Sequence, residues 1–172
     1  MLSLKPELSL PTTIYFMESS AKLKALGSFC EMADSCLMQN ENFGEFYEKI
    51  EAFFLNISKI NWFEYYARFE FALLGFLGIG LDLSKCAITG EAKNLQYVSP
   101  KSGKAVSAEA GKGYETRLFK YPAFIFDYHI PQNQEIYNTL KMTEFFLKKN
   151  FFAAHDLKFP NNRDNLLHNL KL

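Results

Sequence analysis

Four positions in the middle of the chain have the spacing of a zinc ribbon, a hairpin that closes around one metal ion. They are Cys86 and Thr89 and then, after seventeen intervening residues, Ser107 and Ala110. A structural zinc site needs four thiolate or imidazole ligands on two facing turns, because the ion requires a closed tetrahedral shell. Only Cys86 carries a thiol, and the nearest histidine in the sequence is His129. The spacing therefore indicates a ribbon-like lobe, and the residue types predict that it holds no zinc and needs no cofactor.

Without a metal, apolar side chains must hold this lobe together. Short alternating segments flank "SPKSG", whose proline and glycine favour a tight turn, so the sequence predicts a β-hairpin here. We expect Ile88, Tyr97, Val98 and Val106 to pack where the ion would otherwise lie.

Basic side chains outnumber acidic ones six to two around this hairpin, although the whole chain has no net charge. Lysines on a turn can neutralise phosphates without reading a base sequence. The alternative is a solvated loop with no ligand. The candidates for phosphate contact are Lys101, Lys104, Lys112 and Arg117.

Arg68 is the one basic residue in the strongly apolar stretch "YYARFEFALLGFLG". It can extend along the helix surface or pair with Glu64, which lies four residues earlier. It can also anchor an acidic peptide with an apolar end, because a guanidinium grips carboxylates while neighbouring aromatic residues receive side chains. Composition alone leaves both alternatives open.

The residues expected of an enzyme are missing from the sequence. The histidines His129, His155 and His168 do not share metal-ligand spacing, and no nucleophile motif, P-loop or dinucleotide fingerprint is present. Acidic pairs such as Glu48 and Glu51 fit a solvated helix face better than acid–base chemistry. The sequence therefore predicts a protein that is not an enzyme.

Helices must carry most of these residues. Apolar residues recur at three and four positions in several segments, and Gly78 follows the third segment as a C-terminal cap. A last short helix is predicted after Pro160. The residues expected on the buried faces are Leu23, Leu26, Cys30, Ala33 and Leu37; Phe46, Ile50, Phe53 or Phe54 and Ile57; Trp62, Tyr66, Phe69, Leu73 and Phe76; and Ile136, Leu140, Thr143, Leu147 and Phe151.

Length and composition fit one domain with a sizeable core. We expect residues 1–15 to form an extended lead-in, residues 16–172 a helical domain, and about 84–120 a lobe inserted in it. Three cysteines at irregular spacing and no signal-like start predict a reducing cytoplasm, and no apolar run is long enough for a bilayer.

Three segments together resemble the RecO family of bacterial DNA repair proteins, especially its alphaproteobacterial members. They are "RFEFALLGFLGIGLDLSKCAITG", "YVSPKSGKAVSAEAG" and "RLFKYPAFIF", and "FFLKKNFF" and "PNNRDNLL" resemble the closing segment of the family. The resemblance extends from about Ala21 to the end of the chain and is specific in order and spacing. It implies a mainly α fold, a helical bundle with an inserted, degenerate zinc-ribbon-like β-hairpin lobe.

The resemblance also implies partners and site residues. Family members are recombination mediators that bind single- and double-stranded DNA, contact the acidic tail of single-stranded-DNA-binding protein, and work with RecR to load RecA. This implies a cytoplasmic, nucleoid-associated protein. It places the tail at Arg68, Phe69 and Tyr65 and DNA or RecR at the four basic candidates of the lobe. Family members with a complete ribbon have cysteines at the positions of Cys86, Thr89, Ser107 and Ala110.

The chain departs from the family at its start as well as at the ribbon. Family members begin with an OB-fold of about five strands, and about fifteen residues before the first predicted helix are too few for it. We therefore expect this chain to lack the OB-fold and to bind DNA more weakly. The alternative is a truncated remnant that serves only as a protein-interaction module.

Overall fold

The computed structural model describes residues 13–37, 44–127 and 129–169. Most of the predicted lead-in lies outside these residues. The helices are α1 (Thr13–Phe16), α2 (Ser20–Cys36), α3 (Gly44–Asn56), α4 (Trp62–Phe76), α5 (Asn133–Leu147) and α6 (Asn161–Asn169). The strands are β1 (Leu95–Val98), β2 (Ala105–Ser107) and β3 (Phe119–Lys120), and short 3-10 turns lie at Glu115–Arg117 and Ala123–Ile125.

Helix α4 lies at the centre of the bundle, with α3 and α5 packed against it. Its apolar residues recur at helical spacing and therefore form a stripe that packs against the neighbouring helices. Phe69 of α4 contacts four aromatic rings, from Phe29, Phe46, Phe53 and Tyr66. The helix ends at Phe76, and Gly78 two residues later has a left-handed φ of 71°, as the sequence predicts for a C-terminal cap.

The buried face of α2 differs from the predicted one. Leu23 is 49% exposed and Cys30 is also exposed. The face that packs carries both small and long side chains, and α6 approaches α2 closely at Gly27, where an added Cβ would lie 2.7 Å from the Asn162 amide nitrogen. Close approach therefore favours glycine at position 27. The buried residues of this face are Lys22, Ala25, Ser28, Met32 and Cys36.

The predicted hairpin is confirmed, and a short third strand extends it. The sheet has the order β2-β1-β3, with both pairs antiparallel. Gly103, with a φ of 67°, lies in the β1–β2 turn, and the hydroxyl of Tyr121 donates to the Leu83 carbonyl oxygen at 3.2 Å. Val98 and Ala105 belong to the main core, so the lobe packs directly on the bundle.

The mainly helical fold class with a small inserted β lobe is confirmed. Tyr97, Val98 and Val106 are buried in the lobe as predicted, but Ile88 is 70% exposed, which corrects that expectation. Ile88 lies in the turn that follows Cys86, where the backbone rather than the side chains faces the sulphur. Among the described helices, none has the length and apolar character needed to cross a membrane.

Candidate functional site

The two turns of the ribbon retain the backbone arrangement of metal-binding turns around a single sulphur. The Cys86 Sγ accepts hydrogen bonds from the backbone N–H of Thr89 at 3.5 Å and of Ser107 at 3.3 Å. The second turn repeats the pattern, since the Ala110 N–H donates to the Ser107 hydroxyl oxygen at 3.4 Å. The four positions of the sequence frame are therefore brought together, with hydrogen bonds where metal bonds would lie.

These contacts change the chemistry of the Cys86 thiol. Burial of the sulphur works to raise its pKa, but hydrogen bonds from Ser107 and Thr89 outweigh burial and lower the pKa to about 6. One sulphur, two hydroxyls and an alanine do not supply the four ligands of a zinc shell. In the described part of the chain, no cluster of three or more His, Cys, Asp or Glu residues could hold a metal ion.

The four basic candidates of the lobe lie on two connections of the sheet and are all exposed. Lys101 and Lys104 are on the β1–β2 side, and Lys104 forms a 3.7 Å ion pair with Asp82. Lys112 and Arg117 lie on the connection from β2 to β3. All four side chains can therefore reach a ligand from solvent, and part of the charge of Lys104 is already compensated.

Arg68 pairs with Glu64, as one of the two interpretations predicts. Its Nε and Nη2 lie 3.0 and 2.9 Å from the Glu64 Oε1, and its Nη1 donates to the Ile125 carbonyl oxygen at 3.3 Å. The guanidinium also lies over the Phe124 ring, 5.4 Å from its centroid. Arg68 thus holds the 3-10 turn onto α4, while a quarter of its side chain stays exposed.

The two aromatic residues assigned with Arg68 have different environments. Tyr65 is half-buried, and the Lys59 ammonium lies 5.7 Å from its ring centroid, so the ring borders solvent. Phe69 is only 2% exposed and packs in the core. Of the three side chains, Arg68 and Tyr65 are therefore accessible to a peptide, whereas Phe69 supports α4 from inside.

A buried charged network is the main feature that sequence reasoning does not find. Glu70 and Arg163 are both fully buried and form a bidentate ion pair. Thr143 donates to the same carboxylate at 2.7 Å, and Arg163 donates to the Leu140 carbonyl oxygen at 2.7 Å. Two features of the sequence could have indicated this network: a glutamate on the apolar face of α4 and an arginine in the closing segment.

Burial and ion pairing shift the pKa of Arg163 in opposite directions. Burial alone would lower the pKa of Arg163, but the Glu70 carboxylate more than offsets this effect and raises it. Tyr66 lies nearby, and its pKa is raised well above the ordinary value, first by burial and then by Glu70. The hydroxyls of Tyr66 and Ser28 share a 2.6 Å hydrogen bond. The network therefore joins α4, α5 and α6.

His129 has no role in the sequence-based interpretation, but it bridges two carboxylates on the surface. Its Nδ1 pairs with Asp127, and its Nε2 lies 3.1 Å from the Glu135 Oε1. Hydrogen bonds from the ring, first to Asp127 and then to Glu135, raise the pKa of His129. Glu135 also accepts the Gln132 N–H at the start of α5, so the bridge closes the preceding loop onto this helix.

Comparisons with known proteins agree with the resemblance read from the sequence. The family model described as "Recombination protein O C terminal" matches residues 17–136. A DNA repair protein RecO of Wolbachia sp. subsp. Drosophila simulans is 35% identical over 162 residues, which cover 89% of this chain and 67% of the relative. No solved structure matches the chain significantly.

Two further relatives named DNA repair protein RecO extend the comparison. The Rickettsia canadensis protein is 36% identical over 159 residues, covering 92% of this chain and 64% of its own length. The Xanthobacter autotrophicus protein is 51% identical over 81 residues, covering 47% of this chain and 34% of its own. The chain thus spans about two thirds of the length of the relatives that match it throughout. With the family model and these relatives in agreement, the chain belongs to the RecO family of DNA repair proteins.

Proposed function

We propose that this chain acts as a recombination mediator that is not an enzyme. In this role it binds single- and double-stranded DNA and single-stranded-DNA-binding protein, and cooperates with RecR to load RecA. The observation that carries the proposal is family membership over most of the chain. The exposed basic side chains of the lobe support the DNA contact, and the proposed place of action is the cytoplasm, at the nucleoid.

The proposed contacts follow from accessibility. Lys101, Lys104, Lys112 and Arg117 are exposed and would meet phosphates or RecR. The acidic tail of single-stranded-DNA-binding protein would meet Arg68 and Tyr65. For the tail to bind there, its carboxylate must share the guanidinium with Glu64, because that residue already occupies two of its nitrogens.

Fluorescence anisotropy with labelled single-stranded and duplex oligonucleotides tests the DNA-binding part of the proposal. We expect binding at low salt whose affinity falls steeply as salt rises, because each phosphate contact releases counterions. Pull-down of purified RecR and of single-stranded-DNA-binding protein tests the partners separately. Failure of both DNA binding and partner capture by the folded chain would overturn the proposed function.

A protein-interaction module without DNA binding is the second candidate. The ion pair of Lys104 with Asp82 favours it, because the lobe neutralises part of its basic charge internally. Capture of the protein partners without any binding of oligonucleotides at low salt would support this candidate over the mediator.

A further inference from the structure

The β1–β2 turn contacts the segment directly after α5, which brings together lysines that are far apart in the sequence. The Lys149 Nζ donates to the Pro100 carbonyl oxygen at 3.2 Å across 49 residues of chain. Lys149 and Lys101 also line one cavity of about 220 Å³ between the turn and the helix. The basic hairpin turn is therefore continuous with the lysines that follow α5.

A second and more apolar cavity, of about 520 Å³, continues from Lys149 along α5. The rings of Phe119 and Phe145 form its apolar part, with centroids 5.2 Å apart and planes inclined by 55°. Lys141 and Lys148 stand at its edge beside Lys149. The result is a groove with aromatic walls and a row of ammonium groups.

Only part of this positive charge is neutralised within the protein. Glu144 accepts hydrogen bonds from Lys148 at 2.7 Å and from Lys141 at 3.4 Å, and Asp164 accepts from Lys148 at 2.8 Å. Within the described part of the chain, no carboxylate forms an ion pair with Lys101 or Lys149. The groove thus retains basic charge at both of its cavities.

The backbone changes its helical form at the same place. Residues Lys148–Phe152 form a π-helical turn directly after α5. Turns of this kind are rare, and they occur frequently at functional sites because the extra residue redirects the side chains that follow. Here the turn begins with the two lysines that border the groove.

We propose that the lysine stripe, defined as Lys101, Lys141, Lys148 and Lys149 beside the Phe119 and Phe145 rings, binds single-stranded nucleic acid. The proposal rests on the DNA-binding function proposed above and locates a contact surface for it.

Single strands are bound by basic grooves that follow the backbone and carry aromatic side chains for the bases. The seven residue steps from Lys141 to Lys148 rise about 10 Å along the helix, which matches about three nucleotides of a stacked strand. A ligand with charge at every repeat fits two adjoining cavities that share Lys149 better than a short acidic peptide with one apolar anchor.

The test replaces three stripe lysines whose side chains are exposed to solvent. The variant combines Lys101→Gln, Lys141→Gln and Lys149→Gln and leaves Lys148 in place, because Lys148 pairs with both Glu144 and Asp164. Anisotropy with labelled oligo-dT should show weaker binding. The slope of log K against log salt should become shallower by about 2, because each lysine that neutralises a phosphate contributes roughly 0.7 to the slope.

A matched control removes the same charge elsewhere. Lys24, Lys49 and Lys59 lie on α2, on α3 and after α3, and their replacement by glutamine should leave the slope nearly unchanged.

A second variant, Phe145→Leu, keeps an apolar side chain but removes the ring. It should weaken single-strand binding about fivefold or more and leave duplex binding unchanged, because only unpaired bases can stack on the ring.

The outcomes separate this proposal from the proposed function. Equal losses of affinity in the stripe and control variants would overturn the stripe and leave DNA binding by the chain intact. Absence of any salt-dependent binding by the unaltered chain would instead overturn the DNA-binding function. A third outcome concerns a labelled acidic peptide ending in phenylalanine. If this peptide binds only when the stripe lysines are present, and oligo-dT does not bind, the groove is a peptide site instead.

Discussion

Glu70 of α4 and Arg163 of α6 form a fully buried bidentate ion pair across 93 residues of chain. Thr143 of α5 donates to the same carboxylate at 2.7 Å, so three helices meet at one charge. The Arg163 Nη1 is the buried side-chain atom without a hydrogen-bond partner in the described residues, and the Glu144 carboxylate lies 3.9 Å from it. The arginine therefore depends on Glu70 for most of its charge compensation.

Replacing Glu70 by glutamine should strongly destabilise the fold, because it leaves the Arg163 guanidinium buried without a counter-charge. We expect the free energy of unfolding to fall by about 3–5 kcal/mol. Urea denaturation measures the loss, and Glu51→Gln on the exposed face of α3 is the control. The pair Glu70→Leu with Arg163→Met should recover much of the stability, since apolar replacements leave no charge buried. If Glu70→Gln lowers the free energy of unfolding by less than about 1 kcal/mol, the result would contradict this role.

Much of the fold could be predicted because helical periodicity and turn residues act locally. The stripe on α4 and the Gly78 cap follow from spacing and backbone conformation alone. The face of α2 could not be predicted, because the helix that packs against it, α6, lies more than 100 residues later. A hydrophobic count favours leucines and gives no information on which neighbour approaches closely.

The candidate sites show the same division between local and distant contacts. The spacing of Arg68 and Glu64 predicts their pairing, because both lie on one helix face. The position of Lys149 beside the hairpin turn depends on how α5 packs against the lobe, which no local pattern contains. Phe69 stands in an aromatic sequence context that suits a ligand, yet it packs in the core, since residue type does not report burial.

The Cys86 thiol should titrate far below an ordinary thiol. Hydrogen bonds from Ser107 and Thr89 hold its pKa at about 6 despite burial. In a Cys30→Ser variant, ultraviolet absorbance of the thiolate should rise through this pH, while Cys36, whose pKa burial raises to about 12, stays protonated. A transition above about pH 8 would show that the hydrogen bonds do not stabilise the thiolate.

The same shift predicts how Cys86 affects stability. A thiol with a lowered folded-state pKa stabilises the fold above its unfolded pKa of about 8.5, and this contribution disappears as the pH falls through about 6. The Tm difference between the parent chain and Cys86→Ser should therefore be largest near pH 9 and shrink towards pH 5. A difference that grows in acid would contradict the predicted sign.

Restoring three thiols should convert the ribbon into a metal site. The turns at Cys86 to Thr89 and at Ser107 to Ala110 already face each other, since the Ser107 N–H reaches the Cys86 sulphur. We expect Thr89→Cys, Ser107→Cys and Ala110→Cys together to bind one zinc ion per chain and to raise the Tm. Elemental analysis measures the metal, and the unaltered chain, for which we predict no stoichiometric zinc, is the control. No zinc uptake by the folded triple variant would mean that the turns are not arranged as ribbon turns.

The His129 bridge should stabilise the fold in acid rather than in base. Asp127 and Glu135 raise its pKa above 6.5, so its stabilising charge is fully present below the ordinary pKa and is lost as the pH rises through the raised one. His129→Gln should lower the Tm near pH 5 and have little effect near pH 9. Nuclear magnetic resonance titration of the ring checks the pKa, and Asp127→Asn should move it back towards 6.5.

Two substitutions on α4 should change the affinity for the acidic tail of single-stranded-DNA-binding protein in opposite directions. Arg68→Ala removes the exposed guanidinium and should cost more than about 1 kcal/mol of peptide binding, as expected for a charge-assisted hydrogen bond. Glu64→Gln removes the carboxylate that competes for the same nitrogens and should strengthen binding. Calorimetry with the tail peptide measures both, with Glu48→Gln on α3 as the control for lost acidic charge. If both variants fold and bind the peptide as the parent chain does, the tail contacts another surface, and Arg68 serves only to hold the 3-10 turn through the Ile125 carbonyl oxygen.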